Sequence, residues 1–159
     1  MVRLAIWIAL TALLATGAAH AETWRAITGN KESATFLELD SRAKTPEGIR
    51  IWTVKVLSQP YSPMMGIFGN DIQVERVLYE LDCTGGRIRS LQASYMTKAL
   101  SSKGEMNPPN PRWSYVAPGT IGETIQMVAC GLKEQPEMGD PQPSMNAAVS
   151  DYFGWLSRQ

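Results

Sequence analysis

Between Thr23 and Thr97, apolar and polar positions alternate in short runs, the spacing of strands rather than helices. Thr23–Thr28 and Thr35–Asp40 are rich in β-formers and flank the turn residues Gly29, Asn30 and Lys31, which predicts a hairpin. A polar connection, Ser41–Gly48, leads to Ile49–Leu57. There Trp52, Val54 and Val56 share one face, while Ile49, Ile51, Thr53 and Lys55 share the other. Apolar residues on both faces at its start predict a central strand, covered on both sides there and wet on one side later. Gln73–Cys83 alternates most clearly, with Val77, Tyr79, Leu81 and Cys83 facing inward and Arg76, Glu80 and Asp82 outward. Gly85-Gly86 predicts a turn, and Arg87–Thr97 the returning strand. The sum is an antiparallel meander of four to six strands.

The period then changes. Thr120-Ile121-Gly122-Glu123 has capping-box spacing, and Ile121, Ile125 and Val128 follow on one helical stripe, with Cys130 at its end and Gly131 suited to the left-handed C′ position. An antiparallel sheet with one apolar side must pack against something, so this helix is expected as its lid. Lys98–Arg112 carries Pro108, Pro109 and Pro111 and is expected to be irregular; Trp113–Val116 reads as a short last strand. A Pro- and Gly-punctuated linker, 132–143, precedes a segment in which Met145, Ala148, Val149, Tyr152, Phe153 and Leu156 recur at helical spacing. That segment, 144–159, is expected to be an amphipathic helix that packs on its own domain or docks to a partner. The fold class is α+β.

Composition changes this picture mainly at the N-terminus. Met1-Val2-Arg3, the apolar run Leu4–Ala15 and Ala19-His20-Ala21 have the layout of a secretory leader, 1–21, so the mature chain is expected to begin at Glu22. No cysteine follows that run to accept a lipid anchor, and no later apolar stretch is long enough to span a bilayer. The whole chain has 159 residues, with fifteen Lys+Arg, fifteen Asp+Glu and one histidine. Loss of the leader removes one arginine and that histidine, leaving a formal charge of −1. A near-neutral chain lacks the basic excess that nucleic acid or an anionic membrane surface requires.

Cys83 and Cys130 are the only cysteines. In an oxidising export compartment, a pair without histidine or C-x-x-C spacing reads as a structural disulfide, here joining an inward-facing strand residue to a helix end. A loop of this length stabilises by about 4 kcal/mol in the chain-entropy treatment.

Without an imidazole in the mature chain, Ser-His-Asp and Cys-His catalysis and His-containing metal sites are excluded. Glu80 and Asp82 share a strand face and have the chemistry of an acid/base pair, although cross-strand pairing with Arg87 or Arg89 on a solvated face is the more ordinary role. The methionines lack M-x-M or M-x-x-M clustering and read as core filling rather than copper ligands. Arg87, Arg89, Lys98, Lys103 and Arg112 make a modestly basic stretch that reads as a solvated sheet face. The strongest binding candidate is the connection Ser58–Asp71. It holds Tyr61, Met64, Met65, Ile67 and Phe68 among Pro60, Pro63, Gly66 and Gly69, so its side chains either fold back as a mini-core or present a partner surface.

A further pattern comprises Trp24, Phe36-Leu37-Glu38-Leu39-Asp40, Ile51-Trp52, Tyr79-Glu80-Leu81-Asp82-Cys83, Arg89, Tyr95, Gly104, Trp113, Pro118-Gly119-Thr120, Glu123 and Cys130. It resembles the surface-adhesin protein E-like family of small exported domains of Gram-negative bacteria, over about residues 24 to 131. The resemblance implies an antiparallel sheet with a packed helix, the same cysteine pairing, and kinship with an adhesin of host matrix proteins. The expected function is therefore a non-enzymatic binding protein of the periplasm or cell exterior, without cofactor or metal, that recognises another protein or a second copy of itself. A periplasmic enzyme inhibitor of the lysozyme-inhibitor kind and a carboxylate-dependent hydrolase are the alternatives.

Overall fold

The computed structural model describes residues 22–134 and 139–159. The expected leader and part of the linker, including Pro136, lie outside them. Among the described residues, eight strands form one antiparallel sheet: β1 (Trp24–Gly29), β2 (Ser33–Glu38), β3 (Ala43–Thr45), β4 (Gly48–Tyr61), β5 (Ile72–Asp82), β6 (Arg87–Met96), β7 (Ser102–Met106) and β8 (Ser114–Tyr115). The main path is β1-β2-β4-β5-β6-β7, with β3 added to β4 and β8 to β6. The meander is thus larger than the expected four to six strands. Part of the excess lies in Lys98–Arg112, expected to be irregular. Its prolines begin only at Pro108, which leaves Ser102–Met106 free to pair with β6 as β7.

Strand β4 also runs beyond Leu57, to Tyr61. A register irregularity between Val56 and Tyr61 interrupts its pairing with β5, and Pro60 falls in that gap, where no ladder donor is needed. Near its start, Gly48 has φ +149° and a Cβ there would overlap the Leu81 carbonyl oxygen, so the close approach of β4 to β5 requires glycine.

Helix α1 (Ile121–Ala129) and helix α2 (Met145–Leu156) cover opposite faces. Ile125, Val128 and Ala129 of α1 bury Ile49 and Ile51 of β4, Leu37 of β2 and Leu81 of β5. Ala148, Val149 and Tyr152 of α2 bury Trp24, Phe36, Val54, Val56, Val74 and Met96. Because β4 alternates, one strand supplies both cores. Thr53, on the face expected to be wet beyond Ile51, is buried.

Both helices begin at hydroxyl caps. Thr120 Oγ1 accepts from Glu123 N at 3.4 Å while Gly119 N donates to the Glu123 carboxylate at 2.8 Å, and Ser144 Oγ accepts from Ala147 N at 3.1 Å. Cys83, the residue after β5, is bonded to Cys130, the C-cap residue of α1, with the Cα atoms 5.7 Å apart.

Candidate functional site

The apolar connection narrows to Ser62–Asp71, because Tyr61 ends β4 and packs against Ile72, Ala93 and Tyr95. Met64 and Met65 lie in a single 3-10 turn, Pro63–Gly66, and their side chains are outside the described ones. Phe68 folds back: its ring stacks on Tyr95 at 4.5 Å between centroids and covers Gly104, where a Cβ would lie 2.6 Å from the Phe68 ring. Lys103 of β7 binds Asp71 at 2.8 Å and fixes the end of the loop. Ile67, next to Phe68, is 73% exposed. Of the predicted residues, Tyr61 and Phe68 thus belong to a satellite core and Ile67 to the surface. Beside them runs β7, a sheet edge with charged Lys103 and Glu105, which keep such an edge from indiscriminate pairing.

Glu80, expected on a solvated face, is buried, with a side chain only 1% exposed. It accepts from Thr45 Oγ1 at 3.0 Å, Arg50 Nε at 2.9 Å and Arg89 Nε at 2.9 Å, and Arg89 also pairs with Glu47. Burial alone would raise its pKa; the hydrogen bonds from Arg89 and Thr45 and the charge of Arg50 outweigh that and hold it below the ordinary value. Asp82 is likewise lowered, by the Gly85 N–H and by Arg87. Both carboxyls are thus shifted toward the ionised form and bound to arginines. The arginines are committed as well: Arg87 and Arg89 lie against the ring of Trp113, and Arg76 sits between Trp24 and Trp52 while bound to Glu38 at 3.2 Å. In the basic stretch, Lys98 lies over Phe153 of α2, 4.1 Å from the ring centroid. Among the described residues, no group of three or more His, Cys, Asp or Glu is arranged to hold a metal ion.

The α1 face carries a third cluster. Strand register places Thr35, Lys55, Glu75 and Tyr95 side by side across β2, β4, β5 and β6. Tyr79, four residues along β5 on the same face, stands opposite Ser90. Burial raises the pKa of Glu75, only Lys55 opposing it, and burial together with the Glu75 charge raises those of Tyr79 and Tyr95. Thr35 Oγ1 and Ser90 Oγ are buried without a hydrogen-bond partner. Sequence reading missed this cluster, although its signal was present: Glu75 lies in phase with Val77, Tyr79, Leu81 and Cys83, a carboxylate on the face assigned to the core.

Comparison with known proteins returned a family model, described as surface-adhesin protein E, that matches residues 24–131. The matched span runs from β1 through α1 and leaves α2 beyond it. Comparison with curated proteins and with solved structures returned no match. The match covers well over half of the sequence and carries the sheet, the capped helix and both cysteines: the chain belongs to the surface-adhesin protein E family.

Proposed function

We propose that this chain is a non-catalytic, exported binding protein of the cell envelope that recognises another protein through the tip of loop 62–71 and the adjoining edge strand β7. The observation that carries the reading is the division of labour between neighbours in the loop. Phe68 is clamped on Tyr95 while Ile67 is held out in solvent, so an apolar anchor is presented on a rigid support and little ordering entropy remains to be lost on binding. Strand β7 supplies backbone donors and acceptors beside that anchor, the arrangement used when a partner adds a strand. Family membership supports adhesion as the purpose, and the disulfide suits an oxidising compartment. Signal cleavage after Ala21 completes the reading, with Glu22 as the first mature residue.

The test is capture from envelope extract by the Glu22–Gln159 protein, compared with Ile67→Asp. Loss of a specific partner at an unchanged melting temperature supports the proposal. Identical capture by both proteins overturns it.

A further inference from the structure

A cavity of about 340 Å³ opens between helix α2 and one edge of the sheet. Strand β1 forms that edge, at the end of the main path opposite β7. The floor of the cavity is apolar: Phe36 and Tyr152 are buried, and Ala26 and Ala34 are too small to fill the space beside them. Trp155 of α2, half-buried and stacked on Tyr152 at 6.0 Å between centroids, forms the wall. This volume and lining are those of a small-ligand site. Helix α2 lies beyond the span matched by the family, so family membership does not account for the cavity.

Two features of the rim are unused by the fold. Asp151 and Arg158 line the cavity on either side of Trp155; both are exposed, and neither has an ion-pair partner among the described residues. Seven residues of helix separate their Cα atoms by about 10.5 Å. The Arg158 guanidinium turns back over Gly154, with Nη1 3.5 Å from where a Cβ would lie, which brings the two charges closer than that. The second feature is the outer side of β1. Trp24 N donates to Gln142 O at 2.8 Å and Gln142 N to Trp24 O at 2.7 Å, so one residue of another segment already adds to this edge. Ala26, two residues on, directs its N–H and C=O the same way, beside the cavity and without a backbone partner among the described residues.

From this arrangement we infer that the cavity binds a short peptide with free termini and one aromatic or large aliphatic side chain. The Asp151 carboxylate takes the terminal ammonium and the Arg158 guanidinium the terminal carboxylate. Extended chain rises about 3.4 Å per residue, so about two to three residues reach from one charge to the other. The apolar side chain enters between Trp155 and the two alanines, and the backbone adds to Ala26 as Gln142 adds to Trp24. Charges of both signs around an apolar floor separate this ligand from others. A fatty acid leaves Asp151 desolvated against its chain. A nucleotide meets a single cation that is balanced by an anion, and a neutral saccharide sets its hydroxyls against apolar walls. The site lies at the sheet edge opposite the Ile67 tip and stands or falls separately from the protein-recognition reading.

The probes are Ala-Phe-Ala and Ala-Trp-Ala with free termini, titrated at millimolar concentration into the isotope-labelled Glu22–Gln159 protein. At least one is expected to shift the amide signals of Ala26 and Ala34 and the indole N–H of Trp155. Trialanine, which has no side chain for the cavity, is expected to bind about tenfold more weakly or worse. Acetylating the N-terminus or amidating the C-terminus should each weaken the peptide about threefold to fivefold, the size of one exposed ion pair. Asp151→Asn should remove the effect of acetylation alone, and Arg158→Gln that of amidation alone, both at an unchanged melting temperature. Ala26→Leu, which fills the cavity, should abolish binding, whereas Ile67→Asp leaves it unchanged and affects only capture of the protein partner. The inference is overturned if neither free peptide binds, if capped peptides bind the parent as well as free ones, or if the cap effects persist in the Asp151 and Arg158 variants. It is also overturned if a folded Ala26→Leu protein binds as well as the parent, or if dodecanoate or a second copy of the chain occupies the cavity in place of the peptide.

Discussion

Glu75 and Glu80 lie five residues apart on β5, on opposite faces of the sheet, and the protein treats them in opposite ways. Glu80 is enclosed by Thr45, Arg50 and Arg89, so that burial is more than compensated and its pKa is lowered. Glu75 is desolvated with only the distant charge of Lys55 to offset the cost, and its pKa is raised. A carboxylate whose oxygens are all engaged by the fold is a structural part, costly to remove and unavailable to a ligand. A carboxylate that the fold desolvates without engaging weakens the folded state and remains free for something else. The same strand thus holds a completed network and an incomplete one.

The largest expected effect tests the completed network. Glu80→Gln leaves Arg50 and Arg89 without their shared anion. It should cost about 2–3 kcal/mol, at or just below the range of about 3–5 for breaking a fully buried pair because Arg50 is half exposed, measured by urea denaturation. The pH dependence has a definite sign. With its folded pKa below the ordinary value, Glu80 contributes stability that is present above about pH 4.5 and lost as pH falls through the folded pKa. The gap between parent and Glu80→Gln should therefore close in acid; a gap that stays constant down to pH 3 would deny the network its electrostatic origin.

Next in size is Phe68→Ala, which strips the cover from Tyr95 and Gly104. Its half-buried ring sets the cost at about 2 kcal/mol, below that of a fully buried phenylalanine. An unchanged melting temperature would mean that the loop is not anchored as described.

Smaller and opposite in direction, Glu75→Gln should stabilise at neutral pH by up to about 1 kcal/mol, because it removes a desolvated charge. Here the folded pKa lies above the ordinary value, so protonation favours the folded state as pH falls through it towards 4.5, and the advantage of the variant should disappear there. Destabilisation at pH 7 would show that Glu75 is held by the fold after all, and the contrast with Glu80 would collapse. Lys55→Met should be smallest, within about 0.5 kcal/mol, since no ion pair is lost.

Alternation along single strands was enough to determine the β1–β2 hairpin, the central place of β4, the inward side of β5, the Thr120 cap of α1 and the disulfide partners, because those features depend on neighbours within a few residues or on the only two cysteines present. The same alternation marked Glu80 as outward, and it is: the face opposite α1 is where it lies. What the alternation did not contain was that a second helix covers part of that face and that Arg50 and Arg89, thirty and nine residues away, close over the carboxylate. Strand β7 was hidden for a related reason, since Ser102–Met106 has no apolar pattern and becomes a strand by completing the ladder of β6. Loop 62–71 was recognisable as apolar and exceptional, but the opposite fates of Phe68 and Ile67 follow from the position of Tyr95 and Gly104 beneath it. The row Thr35-Lys55-Glu75-Tyr95 shows the limit most clearly. Glu75 alone stands out in its own strand, as a carboxylate in phase with inward residues, and only the register of four strands, set by turns and by burial on both faces, brings it into line with Thr35, Lys55 and Tyr95.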